Sequence, residues 1–209
     1  LRYAGASTLL DILLGVSVSW IVIRTRLKGR GLLDALSMLP ISVPGIVLAL
    51  GYLALTREGK PLDFLIQGGD PFLLLAIAYG IRRLPYVVRS MSAGLLQISP
   101  TLEEASANLG AAPFETLRRI TLPMAMPSLL AGGVLAFAFA MLEVSDSMIL
   151  AQRTVFFPIT KAMYTLSGAI GDGPALAAAL GVWSMLFLIL LLLLLGVLMG
   201  KRLSGLLGP

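Results

Sequence analysis

The feature that most constrains this chain is a series of apolar runs, each close to the roughly 20 residues that a helix needs to cross a bilayer. Charged residues make up only 13% of the 209 residues and hydrophobic ones 57%, whereas about a quarter of a soluble domain is charged. We therefore predict an all-α, polytopic integral membrane bundle of about five transmembrane helices, forming a single transmembrane domain over residues 1–209. The runs cover 3–23, 32–55, a stretch that begins at Phe72, 127–147 and 175–199.

The composition excludes several kinds of catalytic and metal site. The chain contains no cysteine and no histidine, which removes the thiolate nucleophile, the commonest general base and the commonest metal ligand. Covalent chemistry by this chain alone is therefore not expected. We predict a protein that is not an enzyme and that holds no metal and no cofactor of its own.

Lysine and arginine are distributed unevenly over the segments between the apolar runs. The segments 24–30, 82–119 and 201–202 hold four, five and two of them. Cytoplasmic loops carry the excess of cations in membrane proteins. We therefore expect a multi-pass protein of the cell (inner or plasma) membrane with these three segments, and hence the C-terminus, in the cytoplasm. The net charge of +5 follows from this bias and indicates no nucleic-acid partner. The five cations on the other side are Arg2, Arg57, Lys60, Arg153 and Lys161.

The second apolar run is interrupted by prolines and a glycine. Proline inside a helix removes a backbone hydrogen bond and kinks the helix. At membrane depth such a break is tolerated where the freed carbonyls face protein or a water-filled path. We therefore predict that this segment lines a substrate path, through Pro40, Ser42, Pro44 and Gly45.

A second candidate for the substrate path lies near the outer end of the fourth run, at Glu143, Ser145 and Asp146. Carboxylate and hydroxyl oxygens are hard ligands that suit a cationic substrate, and ionisable groups at membrane depth are costly enough to suggest a function. The alternative is that these residues cap the end of the helix and meet water.

The longest polar interruption lies within residues 99–123 and is typical of two short helices joined at a glycine. Ser99 suits the cap of the first helix, and Gly110 suits its end, where a left-handed residue is needed. Pro113 suits the start of the second helix, which Leu122-Pro123 is expected to end. Most connections have only about 4–6 residues, so this capped hairpin indicates a docking element rather than a simple connector.

The hairpin resembles the cytoplasmic loop motif of permease subunits of binding-protein-dependent ABC transporters. The family pattern is E-A-A-x3-G-x9-I-x-L-P, and here it is Glu104-Ala105-Ser106, Gly110 and Ile120-x-Leu122-Pro123. Only the third position departs, with serine for alanine. Five spans with the loop between the third and fourth are also the family's core arrangement, so the resemblance covers the whole chain.

This resemblance implies a role for the hairpin and a set of partners. In the family the loop forms a coupling helix seated in a groove of a cytoplasmic ATPase subunit, and that subunit binds the ATP and Mg. The other partners implied are a second permease core (in a homodimer, a heterodimer or a fused chain), an extracytoplasmic substrate-binding protein and the lipid bilayer. The residues implied to dock on the ATPase are Glu103, Glu104, Ala105, Ser106, Leu109 and Gly110.

Residues 79–95 and 141–164 resemble the ferric-iron branch of these permeases. The resemblance thus implies the pore subunit of an ATP-driven importer, with ferric iron as the expected substrate. Permeases of this branch are often fused chains with two cores, which leaves open whether this chain is half of a longer one. Related branches import thiamine, sulfate, molybdate, polyamines or phosphonates. The alternative outside the family is an ion-driven secondary transporter or a channel, which would need no ATPase.

Overall fold

The computed structural model describes residues 1–206, and the side chains of all of these except 67–68, 195 and 198–206. The described part is built from α-helices, with 3-10 segments at Asp63–Gly69 and Thr154–Phe156 between them, and holds no strand, which confirms the predicted all-α class. A π-helical turn, Leu117–Thr121, joins two of the helices. In chain order the helices are α1 (Arg2–Arg24), α2 (Arg30–Ser42), α3 (Gly45–Leu55), α4 (Phe72–Gln97), α5 (Pro100–Asn108), α6 (Pro113–Thr116), α7 (Leu122–Met141), α8 (Ser145–Leu150), α9 (Ile159–Ser167) and α10 (Gly173–Leu206).

Helix α4 lies at the centre of the bundle and packs against both α1 and α7. Small polar side chains hold these helices close together. Ser19 on α1 donates a hydrogen bond to the carbonyl of Val88 at 2.9 Å, and Ser90 on α4 donates one to the carbonyl of Ser128 on α7 at 2.6 Å. The fully buried apolar side chains of α4 include Leu74, Leu75, Val87, Val88, Met91 and Leu95.

The backbones of α4 and α7 approach closely at Gly132. A Cβ atom placed there would lie 3.1 Å from the Cα of Val87 and 3.2 Å from the carbonyl oxygen of Tyr86. Both are backbone atoms of α4, so they cannot move aside independently of the helix. Small residues at such points let two backbones approach, which is how helices pack within a membrane.

The contacts of α1 define two opposite ends of the bundle. The Tyr3 hydroxyl donates a hydrogen bond to the carbonyl of Phe156 at 2.9 Å, whereas Arg24 at the other end of α1 contacts Glu103 in α5. The 23 residues of α1 span about 35 Å at about 1.5 Å per residue. The 99–123 hairpin and the loop around 154–156 therefore lie at opposite ends of the bundle.

The second apolar run does not form one straight helix. α2 and α3 meet at a bend of 103°. Val43 between them is extended, with φ −94° and ψ 130°, because a residue that precedes a proline avoids the helical region. Pro44, which follows it, supplies the break, whereas Pro40 stays inside α2.

Two predictions about the later runs are wrong. The fourth helix ends at Met141 rather than near 147, and a separate helix, α8, follows it. Leu122-Pro123 does not end the second helix of the hairpin, because Pro113–Met141 forms one helix of 29 residues. The π-helical turn lies just before Pro123, and its wider hydrogen-bonding pattern accommodates the missing N–H and the bulk of the ring.

Three of the described helices are long and apolar enough to cross a membrane, namely Arg2–Arg24, Pro113–Met141 and Gly173–Leu194, and the bent pair α2–α3 would make a fourth. α4 has 26 residues and is long enough to be a fifth, although it carries Arg82, Arg83 and Arg89. The predicted count of about five spans thus agrees with the fold if α4 is included.

The arginines of α4 correct the count of cytoplasmic cations. The segment predicted to be cytoplasmic includes Arg82, Arg83 and Arg89, but these three lie inside a helix that continues to Gln97. Removing the three from the eleven leaves eight cations on the hairpin side against five on the other. The excess of cations therefore still favours a cytoplasmic location for the hairpin side.

Candidate functional site

The first helix of the hairpin, α5, has well-defined ends. Ser99 caps its start, and the hydroxyl oxygen of Ser99 accepts a hydrogen bond from the backbone N–H of Thr101 at 3.4 Å. Gly110 follows its end, and the φ of +86° there confirms the predicted left-handed residue. The N–H of Ala111 donates to the carbonyl of Ser106 at 3.1 Å, and that of Gly110 donates to Ala107 at 2.9 Å. This pair of bonds is a Schellman motif, which fixes the direction of the chain after the helix.

The turn of the hairpin exposes large apolar side chains. Leu109 is 90% exposed and Phe114 is 73% exposed. Glu104 and Ala105 are also exposed. A shallow groove of about 380 Å³ lies beside this surface and is lined by Ser106, Leu109, Gly110, Ala111, Glu115, Arg119 and Ile120.

Ser106, the residue that departs from the family pattern, lies on the inner side of the hairpin. It is buried, and its hydroxyl forms a 2.9 Å hydrogen bond with the hydroxyl of Thr116 in α6. This bond joins the two arms of the hairpin. Ser106 thus supports the exposed surface from behind, and little of it is left for contact with a partner.

Glu103 also faces inwards, and it is engaged within the chain. Its Oε1 lies 3.0 Å from Nε of Arg24 and accepts a hydrogen bond from the Thr121 hydroxyl at 3.0 Å. Arg24 also donates to the backbone carbonyls of Leu95 and Ile98. Among the six residues implied to dock, Glu104, Ala105, Leu109 and Gly110 therefore form the exposed set, which we call the hairpin tip.

The second polar site is a buried ion-pair cluster in the half of the bundle that contains the first residues of α1. Glu143, between α7 and α8, pairs with Arg83 of α4, and its Oε1 lies 3.9 Å from Nη1 of Arg82. Glu143 is 4% exposed and Asp146 is fully buried. The alternative interpretation was that these residues cap a helix end and meet water, and its second half is wrong for both carboxylates, because the protein itself encloses them.

Hydroxyl groups complete the cluster around the end of α7. Ser147 and Thr160 both donate to the backbone carbonyl of Glu143, and the Tyr79 hydroxyl bonds that of Ser147. The N–H of Asp146 donates to Glu143 Oε1 at 3.3 Å. Within the described part of the chain, neither carboxylate oxygen of Asp146 has a hydrogen-bond partner. The cluster thus connects α4, α7, α8 and α9 through one buried glutamate.

The helix break at Pro44 contacts this cluster through Gly45. A Cβ atom on Gly45 would overlap Nη1 of Arg82 and would lie 2.8 Å from the Cβ of Ser145. The structure therefore brings together Gly45, Glu143, Ser145 and Asp146, four of the residues predicted to line a path. It does not bring Ser42 and Pro44 to them, since these two are exposed. Pro40 is half-buried within α2.

Lys161 of α9 anchors the end of α8 beside the cluster. Its ammonium group donates to the carbonyls of Met148 and Ala151, at 2.7 Å and 2.5 Å. It also lies 4.7 Å from the centre of the Phe157 ring. Burial lowers the pKa of Lys161, as expected for an amine that is partly removed from water.

The sequence-based interpretation missed Arg82, Arg83 and Tyr79 as members of the polar cluster. The signal was present, because two cations inside an apolar run need anions at the same depth. Glu143 and Asp146 were the available partners. Assigning Arg82 and Arg83 to a cytoplasmic segment hid this match.

The family of this chain follows from its residues 11–204, which match the family described as binding-protein-dependent transport system inner membrane component. The chain belongs to this family. The match covers α4, the hairpin and the cluster together, so the resemblance inferred from the hairpin motif is confirmed.

Curated relatives of this inner membrane component have several different substrates in their names. The putative ferric transport system permease protein FbpB 1 of Haemophilus influenzae is 35% identical over 145 residues, which are 69% of this chain and 22% of that protein. The sulfate transport system permease protein CysT of Salmonella typhimurium is 34% identical over 139 residues, which are 64% of this chain and 50% of CysT. The molybdenum transport system permease protein ModB of Escherichia coli is 29% identical over 180 residues, 79% of this chain and 76% of ModB. The chain thus spans at most half the length of the first two relatives.

Solved structures of ABC transporters share the fold of this inner membrane component. A chain of the MetNI methionine ABC transporter in an inward-facing conformation aligns with a TM-score of 0.74 and 19% identity, over 95% of this chain and 90% of that one. A chain of a bacterial ABC transporter for the polysaccharide alginate aligns with a TM-score of 0.72 and 18% identity, over 95% and 76%. These likenesses establish the fold of a polytopic ABC transporter membrane subunit.

Proposed function

We propose that this chain is a pore subunit of an ATP-driven importer and that its hairpin tip docks on a partner ATPase. The observation that carries the proposal is Leu109, an apolar side chain that is 90% exposed beside a Schellman turn. Apolar anchors that insert into a partner's pocket commonly dominate the energy of an interface. Ala105 and Gly110, next to it, are small enough to let a partner approach the backbone.

The partners proposed for the complete transporter follow from the family. They are two cytoplasmic ABC ATPase subunits, which bind the ATP and Mg, a second permease core and an extracytoplasmic substrate-binding protein. The hairpin tip would then be cytoplasmic, and the loop around 154–156 would face the binding protein. The excess of lysine and arginine on the hairpin side supports this orientation.

The fold supports a direct mechanical route from the hairpin to the buried cluster. Pro113–Met141 is a single helix of 29 residues, about 43 Å long, and it ends two residues before Glu143. A movement of the docked hairpin would therefore reach the ion pair between Glu143 and Arg83 through one rigid element. ATP bound to the partner could thereby shift the equilibrium between two conformations of the bundle, as allosteric coupling requires.

The substrate path is proposed to run past the bend between α2 and α3. Ser42 and Pro44 are exposed there, and carbonyls freed by a helix break can line a path. Glu143 and Asp146 are buried behind Gly45 and Arg82, so their role in this conformation is to hold the break in position. Opening of that contact would bring Ser145 and the two carboxylates to the path.

The substrate is proposed to be an inorganic ion, with ferric iron as the first candidate. Ferric iron, sulfate and molybdenum are the substrates in the names of three relatives with 29–35% identity. Uptake of labelled ferric iron, sulfate and molybdate by cells that contain the complete transporter distinguishes among them. If none of the three is taken up, the proposed substrate class is contradicted. The proposal that the hairpin docks on an ATPase would not be affected, because it is tested separately.

Replacing Leu109 with glutamate is expected to weaken association with the ATPase about 30-fold or more. A charge at an interface anchor would be buried without a partner, which costs 2 kcal/mol or more, about a 30-fold loss of affinity. The side chain is exposed in the free chain, so folding should not change. The measurement is co-purification of the ATPase with the tagged permease, together with ATP-dependent uptake.

The matched control is Val155→Glu, because Val155 is 84% exposed and lies at the opposite end of the bundle. Association of the ATPase with this variant should equal that with the unaltered chain. Uptake that persists in the Leu109→Glu variant would favour an ion-driven transporter or a channel over the proposed importer.

A further inference from the structure

We propose that Arg24 is a positioning residue for energy coupling: it locks the hairpin to the end of α4, so that the docked hairpin moves together with α1, α4 and α7. This inference rests on the proposed docking of the hairpin on an ATPase. It assigns to Arg24 and Glu103 a role that differs from contact with that partner.

The geometry of Arg24 carries the inference. Its Nε lies 3.0 Å from Glu103 Oε1 in α5, and its Nη2 donates to the carbonyls of Leu95 and Ile98 at 2.9 Å and 2.8 Å. One side chain at the end of α1 thus binds both the last turn of α4 and the first turn of the hairpin. A guanidinium carries five N–H donors in a rigid planar arrangement, and Arg24 uses them on three separate acceptors.

Glu103 extends the same connection to the other arm of the hairpin. The oxygen that faces Arg24 also accepts the hydrogen bond from Thr121, whose side chain is fully buried at the π-helical turn before α7. Glu103 therefore joins α1 on one side and the base of the long helix Pro113–Met141 on the other. We call the set of Arg24, Glu103, Thr121 and the carbonyls of Leu95 and Ile98 the hairpin lock.

The burial of the hairpin lock separates it from the exposed ion pairs of the chain. The side chains of Arg24 and Glu103 are 10% and 17% exposed, whereas those of Arg89 and Asp34, which are 3.4 Å apart, are 58% and 26% exposed. Exposed pairs are screened by water and contribute little. An ion pair that is shielded from water and also binds backbone carbonyls keeps a fixed geometry. Such a geometry is needed if the hairpin is to move together with the helices of the bundle.

The lock fixes the hairpin from behind and leaves the hairpin tip free. Leu109 and Gly110 are exposed and make no part of the lock. A hairpin without the lock would still bind the ATPase, but it would pass less of the ATPase movement on to α1, α4 and α7. Loss of the lock is therefore expected to uncouple ATP hydrolysis from uptake while docking is retained.

The test compares Arg24→Ala, Glu103→Ala and the double variant in the complete transporter. For each single variant, we expect the ATP hydrolysed per substrate imported to rise about fivefold or more, the lower end of coupling between distant sites. Because the two residues act as one unit, the ratio of ATP hydrolysed to substrate imported should be no higher in the double variant than in Arg24→Ala. Co-purification of the ATPase should stay at the level of the unaltered chain.

A milder variant and a matched control guard against misfolding. Thr121→Val removes one hydrogen bond to Glu103 and keeps the charges, so it should raise the same ratio by a smaller factor. Arg89→Gln removes an arginine from an exposed pair that does not touch the hairpin. It should leave the ratio unchanged.

Hydrogen exchange on the permease without the ATPase tests the lock independently of the proposed function. Arg24→Ala should raise the exchange rates of the amides of residues 105–109 about tenfold, the factor expected for a lost hydrogen bond to a charged group. Unchanged exchange, or faster exchange with an unchanged ratio of ATP to substrate, would overturn the proposal. If the unaltered chain fails to bind an ATPase, the proposed function fails, and with it the coupling role of Arg24.

Discussion

Replacing Glu143 with alanine is expected to lower the free energy of unfolding by about 3–5 kcal/mol. The change would leave Arg83, which is 8% exposed, with a buried charge and no ion-pair partner. It would also remove the acceptor of the Asp146 N–H. The measurement is unfolding of the purified chain in detergent, followed by circular dichroism as denaturant is added.

The matched controls separate loss of the ion pair from loss of any glutamate. Glu58→Ala, at an exposed loop position, should change the free energy of unfolding by less than about 0.5 kcal/mol. The double variant Arg83→Met with Glu143→Met removes both charges together. It should be less destabilising than Glu143→Ala, because removing both members of a buried pair also removes its desolvation cost, although the Asp146 N–H still loses its acceptor. A Glu143→Ala variant as stable as Glu58→Ala would contradict the buried cluster.

Replacing Gly132 with leucine is expected to destabilise the bundle by about 3 kcal/mol, at the upper end of the usual cost of overpacking. The new Cβ would meet the backbone of α4 at Val87 and Tyr86 and the Ser90 Cβ at 2.8 Å. The two helices would have to separate, and the Ser90 hydrogen bond to Ser128 would lengthen. The measurement is the same denaturant titration, with uptake as a second readout.

Gly5→Leu provides the matched control for this substitution. Gly5 lies in α1, and a Cβ there would meet no atom within 4 Å. Its replacement should change the free energy of unfolding by less than about 0.5 kcal/mol. Equal stability of the Gly132 and Gly5 variants would show that α4 and α7 do not approach as closely as described.

The hairpin illustrates what the sequence can predict. The Ser99 cap and the left-handed Gly110 are local features, since each depends on residues only a few positions away. The spacing of Glu104, Gly110 and Ile120 was also sufficient to indicate the family, because these residues lie within one short segment of the sequence. The second arm was predicted less well, because a proline that usually ends a helix is accommodated here by a π-helical turn.

The buried contacts could not be predicted in the same way because their partners are far apart in sequence. Glu143 pairs with an arginine 60 positions earlier, and Glu103 with one 79 positions earlier. Which side of α5 turns inwards depends on the latter pair. Without it, Glu103 and Glu104 look equally suited to contact a partner. Adding the rule that buried charges are paired would have favoured Arg83 as the partner of Glu143.

Site-specific photo-cross-linking from Leu109 tests ATPase docking most directly, because the chain contains no native cysteine. The Leu109→Cys variant would be labelled with a maleimide that carries a photoreactive group, in membranes that contain the complete transporter. Val155→Cys serves as the matched position at the other end of the bundle. We expect illumination to attach the ATPase to the chain labelled at position 109 and not to the chain labelled at 155. An ATPase adduct from neither position, or equally from both, would contradict docking through the hairpin tip.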